Sequence, residues 1–248
     1  MDVAPLELTQ EVYNRVVEKR LNFGNLLSSK LLRFLMSARQ PLPIRLLLLL
    51  IGLAIHTCGI ALITHAALGT MPVTTLPLAV SMVSGLTLGT LTFALNVIFF
   101  LIEVVLLRSR FRPILFLQIP SVLVFSAMID LWVYCLLPLP VPNVWVGFGY
   151  SLIANVLAAV GILLQIKSDT LMQPVEGAVL ALAMVTKRSF ASLKITNDVT
   201  CVTLAAIVSW VFLDHYDAIG TGTLVSAFMV GYVVKLLKPY VLNEDANA

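Results

Sequence analysis

Two carboxylates and two prolines mark where this chain could do chemistry. Asp198 sits early in an apolar run that begins at Leu193, and Glu176 follows Gln173 and Pro174 at the head of a shorter run. Burying a carboxylate in a membrane helix costs at least ~2.5–3.5 kcal/mol, so Asp198 is expected to face a protein interior, protonated or paired. Coupling to a proton or cation is the functional reading of Asp198, with Glu176 as a second ion-coupling candidate. The plainer readings are a helix-to-helix hydrogen bond from Asp198, with Asn197 or Thr196, and a first-turn capping role for Glu176.

Gly69-Thr70-Met71-Pro72 has the grammar of a helix start, with Thr70 as N-cap and Pro72 where a missing N–H does no harm. Gln173-Pro174-Val175-Glu176 repeats it. If each short helix dips in from its own side of a membrane, both N-termini lie near the midplane with unpaired N–H groups and the positive end of the helix dipole. A small anion could then sit between them, held by Gly69, Thr70, Pro72, Gln173, Pro174 and Glu176. Alternatively both prolines simply begin short buried helices whose donors are met by Thr70, Gln173 or Glu176.

The two starts belong to a longer self-similarity. Laying residues 59–107 over 161–209 without a gap pairs Gly59 with Gly161, Pro72 with Pro174, Val73 with Val175, Met82 with Met184 and Leu91 with Leu193. Ser84 then falls on Thr186, Thr87 on Ser189 and Asn96 on Asp198. Apolar identities carry little weight in so apolar a chain, whereas the Pro-Val pair and Asn96 over Asp198 carry more. Asn96 and Asp198 are the best-matched polar pair, and Asn96 joins the candidate binding residues.

The elements that must position these residues follow from composition. With 59% hydrophobic and 12% charged residues over 248 and a mean hydropathy of +0.98, the chain lies outside the range of soluble domains. Spanning about 30 Å of hydrocarbon takes roughly 20 helical residues. Full-length runs cover 44–64, 89–107, 114–137, 144–166, 193–213 and 219–237, while 71–84 and 174–186 are short enough to be re-entrant or half-helices. The fold class is therefore all-α: a transmembrane bundle of six full spans plus two short helices.

Lys and Arg favour the cytoplasmic ends of spans. If the short runs do not cross, Lys30, Arg33, Arg39 and Arg45, then Arg108, Arg110 and Arg112, then Lys167, Lys187 and Arg188, then Lys235 and Lys238 all fall on one side, with Asp214, His215 and Asp217 on the other. Three crossings per copy then place the second copy upside down, the inverted-repeat architecture of many secondary transporters. Both termini are expected to be cytoplasmic. The expected organisation is a partly amphipathic basic tail over 1–42, one repeat over 43–142, a second over 143–240 and a short tail over 241–248.

Leu68-Gly69-Thr70-Met71-Pro72-Val73-Thr74-Thr75-Leu76-Pro77, followed by Leu88-Gly89-Thr90 through Asn96, resembles the first-half signature of the YczE/YyaS/YitT-like bacterial membrane proteins. Gly220-Thr221-Gly222-Thr223 through Gly231 is similar to their last helix. The resemblance covers about residues 43–240 and departs at Pro120-Ser121, where a Gly-Thr pair is expected. It implies a multi-pass protein of the bacterial cytoplasmic (inner) membrane and carries over no activity.

Glu103, within reach of Arg108 or Arg110, and Asp130 read as structural. His56 and His65 have no partner at metal-ligand spacing, Cys58, Cys135 and Cys201 lie in apolar runs, and Ser151 forms no nucleophilic set with the histidines. No metal, cofactor, catalytic residue or nucleic-acid partner is expected; the partners are the lipid bilayer and a small-molecule substrate. The leading expectation is a secondary transporter of a small polar or anionic solute. The alternative is a membrane scaffold or regulatory protein that acts through partner proteins.

Overall fold

The computed structural model describes residues 41–108, 111, 113–213 and 218–242, apart from the side chains at 239, 240 and 242. The basic tail, Arg110, Arg112, Asp214, His215 and Asp217 lie outside the described residues, and so do the expectations that rest on them. The described chain is all helix: α1 (Leu42–His65), α2 (Thr75–Ser84) preceded by a 3-10 turn (Pro72–Thr74), α3 (Leu88–Leu107), α4 (Gln118–Leu136) preceded by a 3-10 turn (Pro113–Leu117), α5 (Val144–Ser168), α6 (Pro174–Thr186), α7 (Phe190–Phe212) and α8 (Thr221–Leu242). Six of these stretches are long and apolar enough to cross a membrane, and Pro72–Ser84 and Pro174–Thr186 are not. The expected pattern of six spans and two short helices holds.

Residue chemistry sets the ends of these helices. Thr87 and Ser189 cap α3 and α7, each side chain accepting a hydrogen bond from the backbone N–H three residues on. The cap at Ser189 starts α7 at Phe190, three residues before its apolar run begins. Pro72 and Pro174 occupy the first helical position of their segments, as expected. Thr70, however, is not an N-cap: Met71 and Gln173 hold the capping positions, both extended and neither making a side-chain cap.

The bundle is centred on α1 and α5, which run antiparallel at close quarters because glycines remove side chains from the contact. A Cβ on Gly59 would stand 2.7 Å from the Ala154 carbonyl and 2.8 Å from the Ala158 nitrogen; one on Gly161 would meet the backbone of Gly52 and His56. Small residues let membrane helices gain dispersion contact where no hydrophobic drive exists between them. On this pair α4 packs against α1 and α8 against α5, while α6 packs along α3 and α2 along α7. Each short helix thus lies against the second full span of the other half.

One offset, 102 residues, relates landmarks throughout the two halves. It carries Gly59 to Gly161 and also carries the groups facing them, Gly52 to Ala154 and His56 to Ala158. The left-handed residues that end α1 and α5, Ala67 and Asp169, obey it, as do the left-handed C-caps of α2 and α6, Gly85 and Lys187. The N-caps Thr87 and Ser189 do too. The outward surface carries Leu47, Ile98, Leu101, Val105, Ile207, Trp210 and Phe228, the apolar exterior that a lipid-facing bundle requires.

Candidate functional site

The two short-helix starts prove chemically unlike. At the first, Thr70 is fully buried, its hydroxyl 3.0 Å from those of both Thr64 and Thr74, and its backbone N–H donates to Thr223 Oγ1 at 3.2 Å. Gly69 takes a left-handed conformation (φ +96°), and Gly220 and Thr223 occupy the space a side chain would need. Gly222 N–H donates to the Leu68 carbonyl at 2.8 Å, so the start of α8 is pinned on the loop. Pro72 begins a segment that this threonine network has already closed.

At the second start the polar groups are larger and charged. Lys194, in the second turn of α7, reaches between two carboxylates: its Nζ lies 2.9 Å from Asp198 Oδ1 and 3.9 Å from Glu176 Oε1. The three side chains are between 26% and 37% exposed, so the group is neither sealed in the core nor on the rim. Gln173, at the N-cap of α6, donates to Gln165 Oε1 at 3.3 Å, and Gln165 Nε2 lies 3.1 Å from His56 Nδ1. A polar path therefore runs from His56 on α1 through Gln165 on α5 to Gln173 beside Pro174, next to Glu176, Lys194 and Asp198.

The structure gathers Gln173, Pro174, Glu176 and Asp198 in one place and leaves Gly69, Thr70 and Pro72 in another. Thr64 marks the first cluster and His56 the second on the same helix; eight residues at 1.5 Å rise put them about 12 Å apart along α1. Asn96 is buried on α3, and its Nδ2 donates to the Thr92 carbonyl at 2.9 Å, within its own helix. The 102-residue offset that takes Asn96 to Asp198 takes Thr92 to Lys194, so a neutral four-residue pair in one half answers an ion pair in the other.

In the sequence Lys194 reads as a flank, because it lies near the end of a span. Its signal was there: four residues before Asp198, it has the spacing of a helical ion pair. Asp198 takes this partner and not Asn197 or Thr196. Arg45 reads as a flanking charge too, yet it is 2% exposed, its Nε donating to the Ser168 carbonyl at 2.8 Å and its guanidinium bonding the Asp169 carbonyl at the C-terminus of α5. There it meets the negative end of the helix dipole. Glu103 is fully buried against Gly177 of α6, and Asp130 binds the start of α3.

Residues 43–239 match a family of unknown function, DUF6198, and the chain belongs to it. No curated protein and no solved structure matches the chain.

Proposed function

We propose that this member of DUF6198 is a secondary transporter of a small polar solute, built as two inverted repeats in a bacterial inner membrane with both termini cytoplasmic. Kinship with the YczE/YyaS/YitT-like proteins is part of the same proposal. The observation that carries it is the charged group Glu176–Lys194–Asp198 within a bundle whose halves repeat at a constant offset. Intramembrane charges are expensive and are found where ions or substrates pass, and repeats with odd numbers of crossings are the common frame for such paths.

The chemistry argues for a cationic or neutral polar solute over an anion. The α6 N-terminus would attract an anion, but Glu176 already occupies its first turn. Glu176 and Asp198 with Lys194 amount to one net negative charge when all three are ionised. The first short helix offers no complementary seat, since the Thr64–Thr70–Thr74 network fills it.

A thermal-shift screen of the purified protein against small acids, amines and neutral metabolites tests this reading, because a ligand at 100 times its Kd stabilises by about 2.7 kcal/mol. Amines or neutral polar compounds should raise the melting temperature, and Asp198→Asn should abolish both the shift and uptake into proteoliposomes. Unchanged function in Asp198→Asn and Glu176→Gln, with no stabilising metabolite, would favour a scaffold over a carrier.

A further inference from the structure

We propose that the structure is one of two exchangeable states, that Asp130 is the latch holding this one, and that the parted α7–α8 seam is the same joint in its open form. This deepens the transporter reading by naming the moving parts.

Among contacts between full spans, the 102-residue offset fails to reproduce one, that of α3 with α4. Every other packed pair among α1 to α8 has its counterpart, α1 and α5 answering each other: α1 on α4 answers α5 on α8, α3 on α6 answers α7 on α2, and α2 on α3 answers α6 on α7. α3 also lies along α4, antiparallel, with Gly89 against the Ser126 carbonyl and the ring of Phe100 5.6 Å from that of Phe116 in the 3-10 turn that leads into α4. Among the described residues no comparable contact joins α7 to α8.

The burial of equivalent residues shows the same break. Val122 and Ser126 on α4 are 1% and 4% exposed, whereas Leu224 and Phe228, their equivalents on α8, are 67% and 79% exposed. On α7 the polar pair Lys194 and Asp198 is partly exposed where Thr92 and Asn96 of α3 are buried. A sequence that builds the same joint twice and closes it once has two arrangements within reach, because packed interfaces are bistable and do not deform continuously. Exchanging them would cover Lys194 and Asp198 and uncover Thr92 and Asn96, which is alternating access by rocking of the α2, α3, α6 and α7 group against the α1, α4, α5 and α8 group, each group drawing on both repeats.

Asp130 explains why α3–α4 is the closed joint. Its carboxylate accepts from Gly89 N–H at 2.7 Å and from Thr87 Oγ1 at 2.7 Å, so one anion sits on the positive start of α3 and on its capping residue. The equivalent of Asp130 on α8 is Tyr232, which is exposed and can place no charge on the start of α7. A hollow of about 370 Å³ lined by Leu78, Thr87, Asp130 and Tyr134 opens beside the latch.

The test uses spin-label distances in liposomes on a full chain with Cys58, Cys135 and Cys201 replaced by alanine. One labelled pair, Thr90→Cys with Leu123→Cys, spans α3–α4, and its equivalent, Ser192→Cys with Val225→Cys, spans α7–α8. Each pair should give the same two distances with opposite weights, and Asp130→Asn should raise the long α3–α4 population roughly tenfold, the effect of losing one charge-assisted bond. An intrachain cross-link between Ser189→Cys and Tyr232→Cys, made with Asp130 intact, should remove the short α3–α4 distance. Single distances that neither change alters would overturn the proposal, and so would cross-linking only between two chains, which would make the seam an interface between copies. Exchange of distances without any uptake would sink the transporter reading and leave the two states standing.

Discussion

At the scale of single residues, space and charge make separable demands. Gly161 has no room for a methyl group against α1, whereas a Cβ on Gly149, in the same helix, meets nothing within 4 Å. Gly161→Ala should therefore destabilise the protein by about 1–3 kcal/mol through overpacking, and Gly149→Ala should gain about 0.5–1 kcal/mol from helix propensity; melting in detergent resolves the two signs. Lys194→Met leaves Glu176 and Asp198 without the ammonium between them. Because these side chains are 26% to 37% exposed, the cost should fall between the surface and the buried limits, about 1–3 kcal/mol, and Lys194→Met/Asp198→Asn should recover much of it in a double-mutant cycle. Asp198 was legible in the sequence since a carboxylate in an apolar run cannot go unexplained. Lys194 and Arg45 were not, since long cationic side chains near span ends have a second use in snorkelling to the surface.

At the scale of elements, the register between the halves is where sequence and structure agree most closely, and the caps are where they part, Thr70 yielding its place to Met71. Thr87 and Ser189 occupy equivalent places in the repeat, and both are N-caps of the second full span in their halves. Removing either hydroxyl with alanine should cost about 1 kcal/mol. Thr87→Ala should cost more than Ser189→Ala, because Thr87 also donates to Asp130; the difference in melting temperature between the two variants measures this. Span lengths were readable from hydropathy to within a few residues. The 3-10 turn at Pro72–Thr74 was not, since a side-chain pattern does not distinguish one turn of 3-10 from α-helix. The extended residue before each proline is Met71 or Gln173, the conformation proline imposes on its predecessor, and this displaces Thr70 from the capping position.

For the whole molecule, the positions of the basic clusters and the packing of the short helices make one topological claim. A cysteine at Lys187 should react with a membrane-impermeant maleimide only after cells are opened, and one at Ser84, its counterpart region in the first half, should react in intact cells. Equal reactivity of both from outside would break the inverted arrangement, since the residues ending α2 and α6 would then share a side. The same experiment at Arg108 should match Lys187.

The chain by itself determined its solvent, the number and kind of its helices, the constant register between its halves and the presence of a costly carboxylate, because hydropathy, length and spacing are local quantities. Only the tertiary structure decided that the two short-helix starts are separate, one closed by threonines and α8, the other holding Glu176 within reach of Lys194. It alone decided that α3 meets α4 while α7 stands off from α8. Such choices depend on which distant side chains share a place, and a linear pattern repeated twice cannot say that one copy is shut and the other open.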